Sequence, residues 1–69
     1  MPLVQISMLP GRSSEQKRAL LAEVTEAVVR TCKVPPETVR VLITEIAAEH
    51  WAVGGISRAD TDAKKRTVS

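Results

Sequence analysis

Residues 3–9 alternate, with Val4, Ile6 and Met8 on one face and Gln5 and Ser7 on the other. A period of two predicts a strand. Pro10-Gly11 breaks it. Ser13-Ser14-Glu15-Gln16 then has capping-box spacing, with Ser13 placed to cap and Gln16 to reach back. Leu20, Leu21, Val24, Ala27, Val28 and Cys32 follow at helical spacing. Pro35-Pro36 ends that pattern, because neither nitrogen donates and the residue before a proline avoids helical angles. The spacing predicts a helix over about residues 14–33, with Cys32 on its packed face.

Val39 to Ile46 reads as a second strand, apolar on both faces: Val39, Val41 and Ile43 on one side, Leu42 and Ile46 on the other. A strand buried on both faces shows such a continuous run. Strand, helix and strand make a βαβ unit with parallel strands and a right-handed crossover. Its helix covers one face of the sheet. No second long helix is visible to cover the other, so a second copy is expected there. Two chains joined edge to edge would form a four-stranded sheet with both helices on one face. Ala52-Val53-Gly54-Gly55-Ile56 reads as a tight hairpin or turn, and residues from Ser57 onward as a polar arm.

Composition adds to the case for assembly. At 69 residues the chain is short for a self-sufficient core, and chains of this size usually add disulfides, a metal or partner subunits. A single cysteine, Cys32, makes no internal disulfide, and a single histidine, His50, leaves too few soft ligands for structural zinc. Subunit assembly remains. No cofactor is called for. A lone cysteine, no signal-peptide pattern and no apolar stretch near the ~20 residues that span a bilayer point to a cytoplasmic protein without a membrane partner.

Charge divides by region. Residues 1–56 balance Arg12, Lys17, Arg18, Arg30, Lys33 and Arg40 against Glu15, Glu23, Glu26, Glu37, Glu45 and Glu49. The net charge of +2 therefore comes from the tail, where Arg58, Lys64, Lys65 and Arg66 face Asp60 and Asp62. Trp51 is the only aromatic residue. A binder of single-stranded nucleic acid would show a basic face and several stacking aromatics, so nucleic acid is not an expected partner.

Candidate chemistry begins at Met1-Pro2. A small second residue permits removal of the initiator methionine, which would make Pro2 a free secondary amine at the head of a strand. An α-amino group titrates near 7.7–8.0, well below lysine. Burial and nearby cations push it lower still. A base works best with its pKa near the operating pH. Arg40 is the odd residue in an apolar strand, since a buried guanidinium pairs with an acid or faces a site.

Four blocks carry a family resemblance. They are Pro2-Leu3-Val4-Gln5-Ile6, Leu9-Pro10-Gly11-Arg12-Ser13-Ser14-Glu15-Gln16-Lys17, Val39-Arg40-Val41-Leu42-Ile43-Thr44-Glu45 and His50-Trp51-Ala52-Val53-Gly54-Gly55. At this spacing the chain resembles the 4-oxalocrotonate tautomerase family from Pro2 to about Ile56. The resemblance implies an α/β fold: a tautomerase-like βαβ domain over 1–56 with a short C-terminal hairpin, then a polar arm over 57–69. It also implies a hexamer of three dimers, a homohexamer or a heterohexamer with a paralogous chain.

The implied activity is enol–keto tautomerisation, without a cofactor or metal, of an unsaturated dicarboxylate such as 2-hydroxymuconate, in aromatic catabolism. By position Pro2 matches the catalytic base, and Arg12 and Arg40 match two substrate arginines. Arg12 would hold the far carboxylate. Arg40, from a neighbouring subunit, would bind the near one and draw electrons toward it. Trp51 stands where the family carries an aromatic that keeps the pocket apolar, and Leu9 would lend a backbone contact to a substrate oxygen.

Two other function classes compete. A hydratase or dehalogenase of an unsaturated acid would need a water-activating carboxylate where this chain has Val53, and a further arginine where it has Leu9. A non-catalytic subunit of a hetero-oligomer would retain Met1. The chain departs from the family at Pro10, which stands in place of an acidic residue.

Overall fold

The computed structural model describes residues 2–68, with side chains as far as Lys64. The expected removal of Met1 and the side chains of the basic run past Lys64 lie outside the described residues.

The element order is β1 (Leu3–Met8), α1 (Ser14–Cys32), β2 (Arg40–Glu45), β3 (Ala52–Val53), β4 (Ile56–Ser57) and α2 (Arg58–Val68). Single 3₁₀ turns at Pro36–Thr38 and Ala48–His50 flank β2. Strands β1 and β2 pair in parallel, Leu3 opposite Arg40 through Met8 opposite Glu45. The amide of Ile46 extends the ladder by donating to the Met8 carbonyl at 2.8 Å.

The capping box forms as its spacing predicts. The amide of Gln16 donates to Ser13 Oγ at 3.1 Å, and the amide of Ser13 donates to Gln16 Oε1 at 2.9 Å. At the other end Lys33 adopts the left-handed conformation, φ 56°, and its amide donates to the Val29 carbonyl. That closing turn absorbs the last helical carbonyls before Pro35 removes a donor.

Helix α1 covers the sheet face that carries Val4, Ile6, Val41 and Ile43, all half-buried. The opposite face is open, with Leu3 57% and Leu42 49% exposed. Among the described residues no side chain is fully buried. The accessible surface is 5448 Å², against about 4,250 Å² for a compact monomer of this mass. The radius of gyration is 16.2 Å, against about 11 Å for a compact chain of this length. The chain is thus more open than a compact monomer of its mass, with apolar side chains exposed on the helix-free face.

Two expectations need correction. Cys32 is exposed rather than packed. A 19-residue helix runs about 28 Å, longer than strands of six residues at about 20 Å, so its last turn overhangs the sheet. Residues 58–68, expected as part of a polar arm, form helix α2 (Arg58–Val68). Ser57 Oγ accepts the amide of Asp60 at 3.1 Å, and Arg58 and Asp62 pair one turn apart at 3.0 Å. This helix has a cap and an ion pair but little apolar residue to announce it. Its partners are the turn at Ala48–His50 and strand β4.

Candidate active site

Pro2 is half-buried and leads into β1. Its carbonyl accepts the amide of Arg40 at 3.0 Å, so the first rung of the sheet fixes its position. Arg40 shares the helix-free face with Leu3, its register partner. The Arg40 guanidinium is exposed and donates from Nη1 to the carbonyl of Glu37 at 3.0 Å, not to a carboxylate. Among the described residues no carboxylate pairs with it.

Arg12 follows the opposite end of β1, exposed, in the loop ahead of the Ser13 cap. Gly11 precedes it at φ 131°, a conformation that side chains rarely adopt. Six strand residues separate Pro2 from that loop by about 20 Å. Leu9, half-buried, lies at the same end as Arg12. Because the strands are parallel, β2 also finishes there, and the chain leaves from that end toward Trp51. Within one chain Pro2 and Arg40 therefore meet through the backbone alone. The Arg40 side chain shares the face of Leu3, and Pro2 alternates with Leu3 onto the face of Val4. Arg12 and Leu9 lie at the other end of the strand.

Trp51 is half-buried at the foot of a β-hairpin, β3 pairing β4. Gly54 and Gly55 turn the hairpin with φ of 62° and 83°. Two positive φ values in a two-residue loop define a turn that twists with its strands. Trp51, Val53, Ile56, Arg58 and Thr61 line an open groove of about 380 Å³. The carbonyl of Trp51 accepts the amide of Arg58 at 2.6 Å. Arg58 and Thr61 are neighbours of the aromatic that the pattern of the chain left in a polar arm. Their signal was present in Ser57-Arg58-Ala59-Asp60, which has N-cap spacing, and in the Arg58/Asp62 interval.

Lys17 Nζ and Glu45 Oε2 approach to 3.3 Å, tying the start of α1 to the end of β2 beside the Arg12 loop. Among the described residues no three His, Cys, Asp or Glu side chains cluster to hold a metal, and no helix is long and apolar enough to cross a membrane.

The model of the family described as "Tautomerase enzyme" matches residues 2–61. The chain belongs to the tautomerase superfamily, in its 4-oxalocrotonate tautomerase family. It is an isomerase of that type. A 2-hydroxymuconate tautomerase of Pseudomonas putida is 51% identical over 55 residues, 80% of this chain and 87% of the relative. Among solved structures, a 4-oxalocrotonate tautomerase isozyme of Methylibium petroleiphilum superposes with a TM-score of 0.88 at 48% identity, covering 91% of this chain and 98% of that one. A heterohexamer 4-oxalocrotonate tautomerase from Chloroflexus aurantiacus gives a TM-score of 0.82 at 45% identity, over 87% of this chain and 97% of that one. The tautomerase fold accounts for both the βαβ unit and the C-terminal strands.

Proposed function

We propose that this tautomerase converts an unsaturated 2-hydroxy dicarboxylate such as 2-hydroxymuconate to its 2-oxo isomer, with Pro2 as the base once Met1 is removed. The observation that carries the reading is the rung between Pro2 and Arg40. It holds the ring that would become the amino terminus at a fixed place at the head of β1. Because the Arg40 side chain of the same chain shares the other face with Leu3, the Arg40 that serves this ring would come from a neighbouring copy. The likeness to the Pseudomonas putida 2-hydroxymuconate tautomerase supports the choice of substrate.

In the proposed reaction the Pro2 nitrogen takes the proton of the substrate's 2-hydroxyl. The O–H electron pair becomes the C2 carbonyl, and the C2–C3 and C4–C5 double bonds are replaced by one at C3–C4. The same proton is returned to C5, so the nitrogen ends as it began. Arg40 stabilises the negative charge that develops near the C1 carboxylate and the 2-oxygen. Arg12 binds the far carboxylate through its planar fork. Trp51 walls the pocket against water, and the Leu9 backbone meets a substrate oxygen.

Arg12 lies about a strand length from Pro2 within one chain, so neighbouring copies complete the site. A trimer of dimers would supply them and cover Leu3 and Leu42. The Chloroflexus heterohexamer makes a mixed assembly with a paralogous chain a second reading. Expression of this chain alone separates the two: a homohexamer turns over substrate by itself. The cytoplasm and aromatic catabolism are the setting such a substrate implies.

The test combines mass and rate. Active protein expressed in the cytosol should lack Met1 by intact-mass spectrometry. Acetylating the Pro2 amine should abolish turnover of 2-hydroxymuconate. Full activity in an acetylated or Met1-bearing chain would rule out Pro2 as the base.

A further inference from the structure

We propose that Arg58 is a further specificity-determining residue: a third guanidinium, held beside Trp51, that reads the remote anionic group of the substrate while Asp62 competes for it. The inference rests on the tautomerase reading above, in which Trp51 lines the pocket.

Three contacts place Arg58. Its amide donates to the Trp51 carbonyl at 2.6 Å, which ties the first residue of α2 to the backbone of the aromatic. Ser57 Oγ accepts from the Asp60 amide and so fixes the first turn of the helix. Asp62, one turn on, accepts from Arg58 Nε at 3.0 Å. The guanidinium is therefore aimed by its own helix rather than left as a loose surface charge.

The groove it borders has one cationic end. Trp51, Val53 and Ile56 give apolar walls, and Val53 is 77% exposed in the protomer. Thr61 donates its hydroxyl proton to the Ser57 carbonyl at 3.2 Å. Arg58 is thus the groove's charged donor. Conjugated carbons lie well on an apolar wall, and a carboxylate at their end lies well on a guanidinium fork.

Asp62 sets the strength of that contact. It occupies Nε and leaves the Nη edge without a partner among the described residues. Both side chains are nearly half-exposed, 48% and 45%. An exposed ion pair one turn apart is weak, so a substrate carboxylate can displace or share it. The other charges of this helix that have described side chains, Asp60 and Lys64, line a neighbouring groove with Ile56 and Ala63.

Steady-state kinetics on two acids tests the assignment. The probes are 2-hydroxymuconate and 2-hydroxypenta-2,4-dienoate, which keeps the dienol and lacks the far carboxylate. Arg58→Ala should reduce the preference for the dicarboxylate, read as the ratio of the two KM values, about five- to tenfold. Arg58→Lys should recover part of it. Asp62→Asn should shift the ratio the other way, toward the dicarboxylate.

A merely structural role predicts a different pattern, since Arg58→Ala and Asp62→Asn break the same ion pair. If both variants move both acids alike, or in the same direction, the inference is overturned. A wild-type enzyme that turns over neither acid overturns the tautomerase substrate reading, and the inference with it. A wild-type enzyme that turns over both, with an unchanged ratio in Arg58→Ala, removes the inference alone.

Discussion

The amide of Arg40 donates to the carbonyl of Pro2 at 3.0 Å, and this rung opens the parallel ladder between β1 and β2. It couples two residues 38 positions apart in number before either has met a ligand. The backbone of Arg40 therefore positions Pro2, while its guanidinium, which among the described residues meets the Glu37 carbonyl at 3.0 Å and no carboxylate, stays exposed. Substituting the side chain leaves the rung intact, so a variant reads the guanidinium alone.

Arg40→Ala should mainly lower kcat on 2-hydroxymuconate, by about 10²–10³-fold, because its contact strengthens as charge develops. Arg12→Ala should mainly raise KM, because holding a remote carboxylate is largely uniform binding. Either loss should also move the rising limb of the kcat/KM profile to higher pH. The sign follows from the charge: a nearby cation opposes protonation of the amine, so removing it raises the pKa. Small, equal effects from both variants would return them to the role of surface charges.

Leu42→Lys should dissociate the oligomer. Leu42 is 49% exposed in the protomer, on the open face it shares with Leu3. A charge there would be buried without a partner at a subunit interface. Sedimentation should show smaller species, and thermal unfolding should begin earlier. A variant that keeps the wild-type mass and stability would free this face from the assembly.

Ser13→Ala should weaken the fold by about 1 kcal/mol, the usual worth of a helix N-cap. The substitution removes the acceptor for the Gln16 amide, and Gln16 alone then serves the Ser13 amide. Denaturant unfolding at fixed protein concentration measures this, because assembly makes stability concentration-dependent. An unchanged midpoint would show that the assembly holds α1 without its cap.

The sequence by itself determined the βαβ unit, its cap and its hairpin, because each rests on local chemistry. Alternation at Val4, Ile6 and Met8 needs only the pleat of a strand. Ser13 and Gln16 need only their separation of three, and Gly54 and Gly55 only their tolerance of positive φ. The apolar residues on both faces of β2 also announced the open face, where Leu42 is 49% exposed and no element of the chain covers it among the described residues. Tertiary structure alone decided the overhang that exposes Cys32, because it depends on the length of α1 against strands of another segment. It alone decided the helix after Ser57, whose polar residues give no apolar stripe, and whose place is set by the Trp51 carbonyl and the turn before it. Pro2 and Arg12 stand at opposite ends of β1, a separation the predicted strand already carried, whereas the pairing of Pro2 with Arg40 needed the register of β1 with β2. The resemblance already implied a neighbour's Arg40; the fold adds the physical reason, since the register puts the Arg40 side chain on the face of Leu3 and not on that of Pro2.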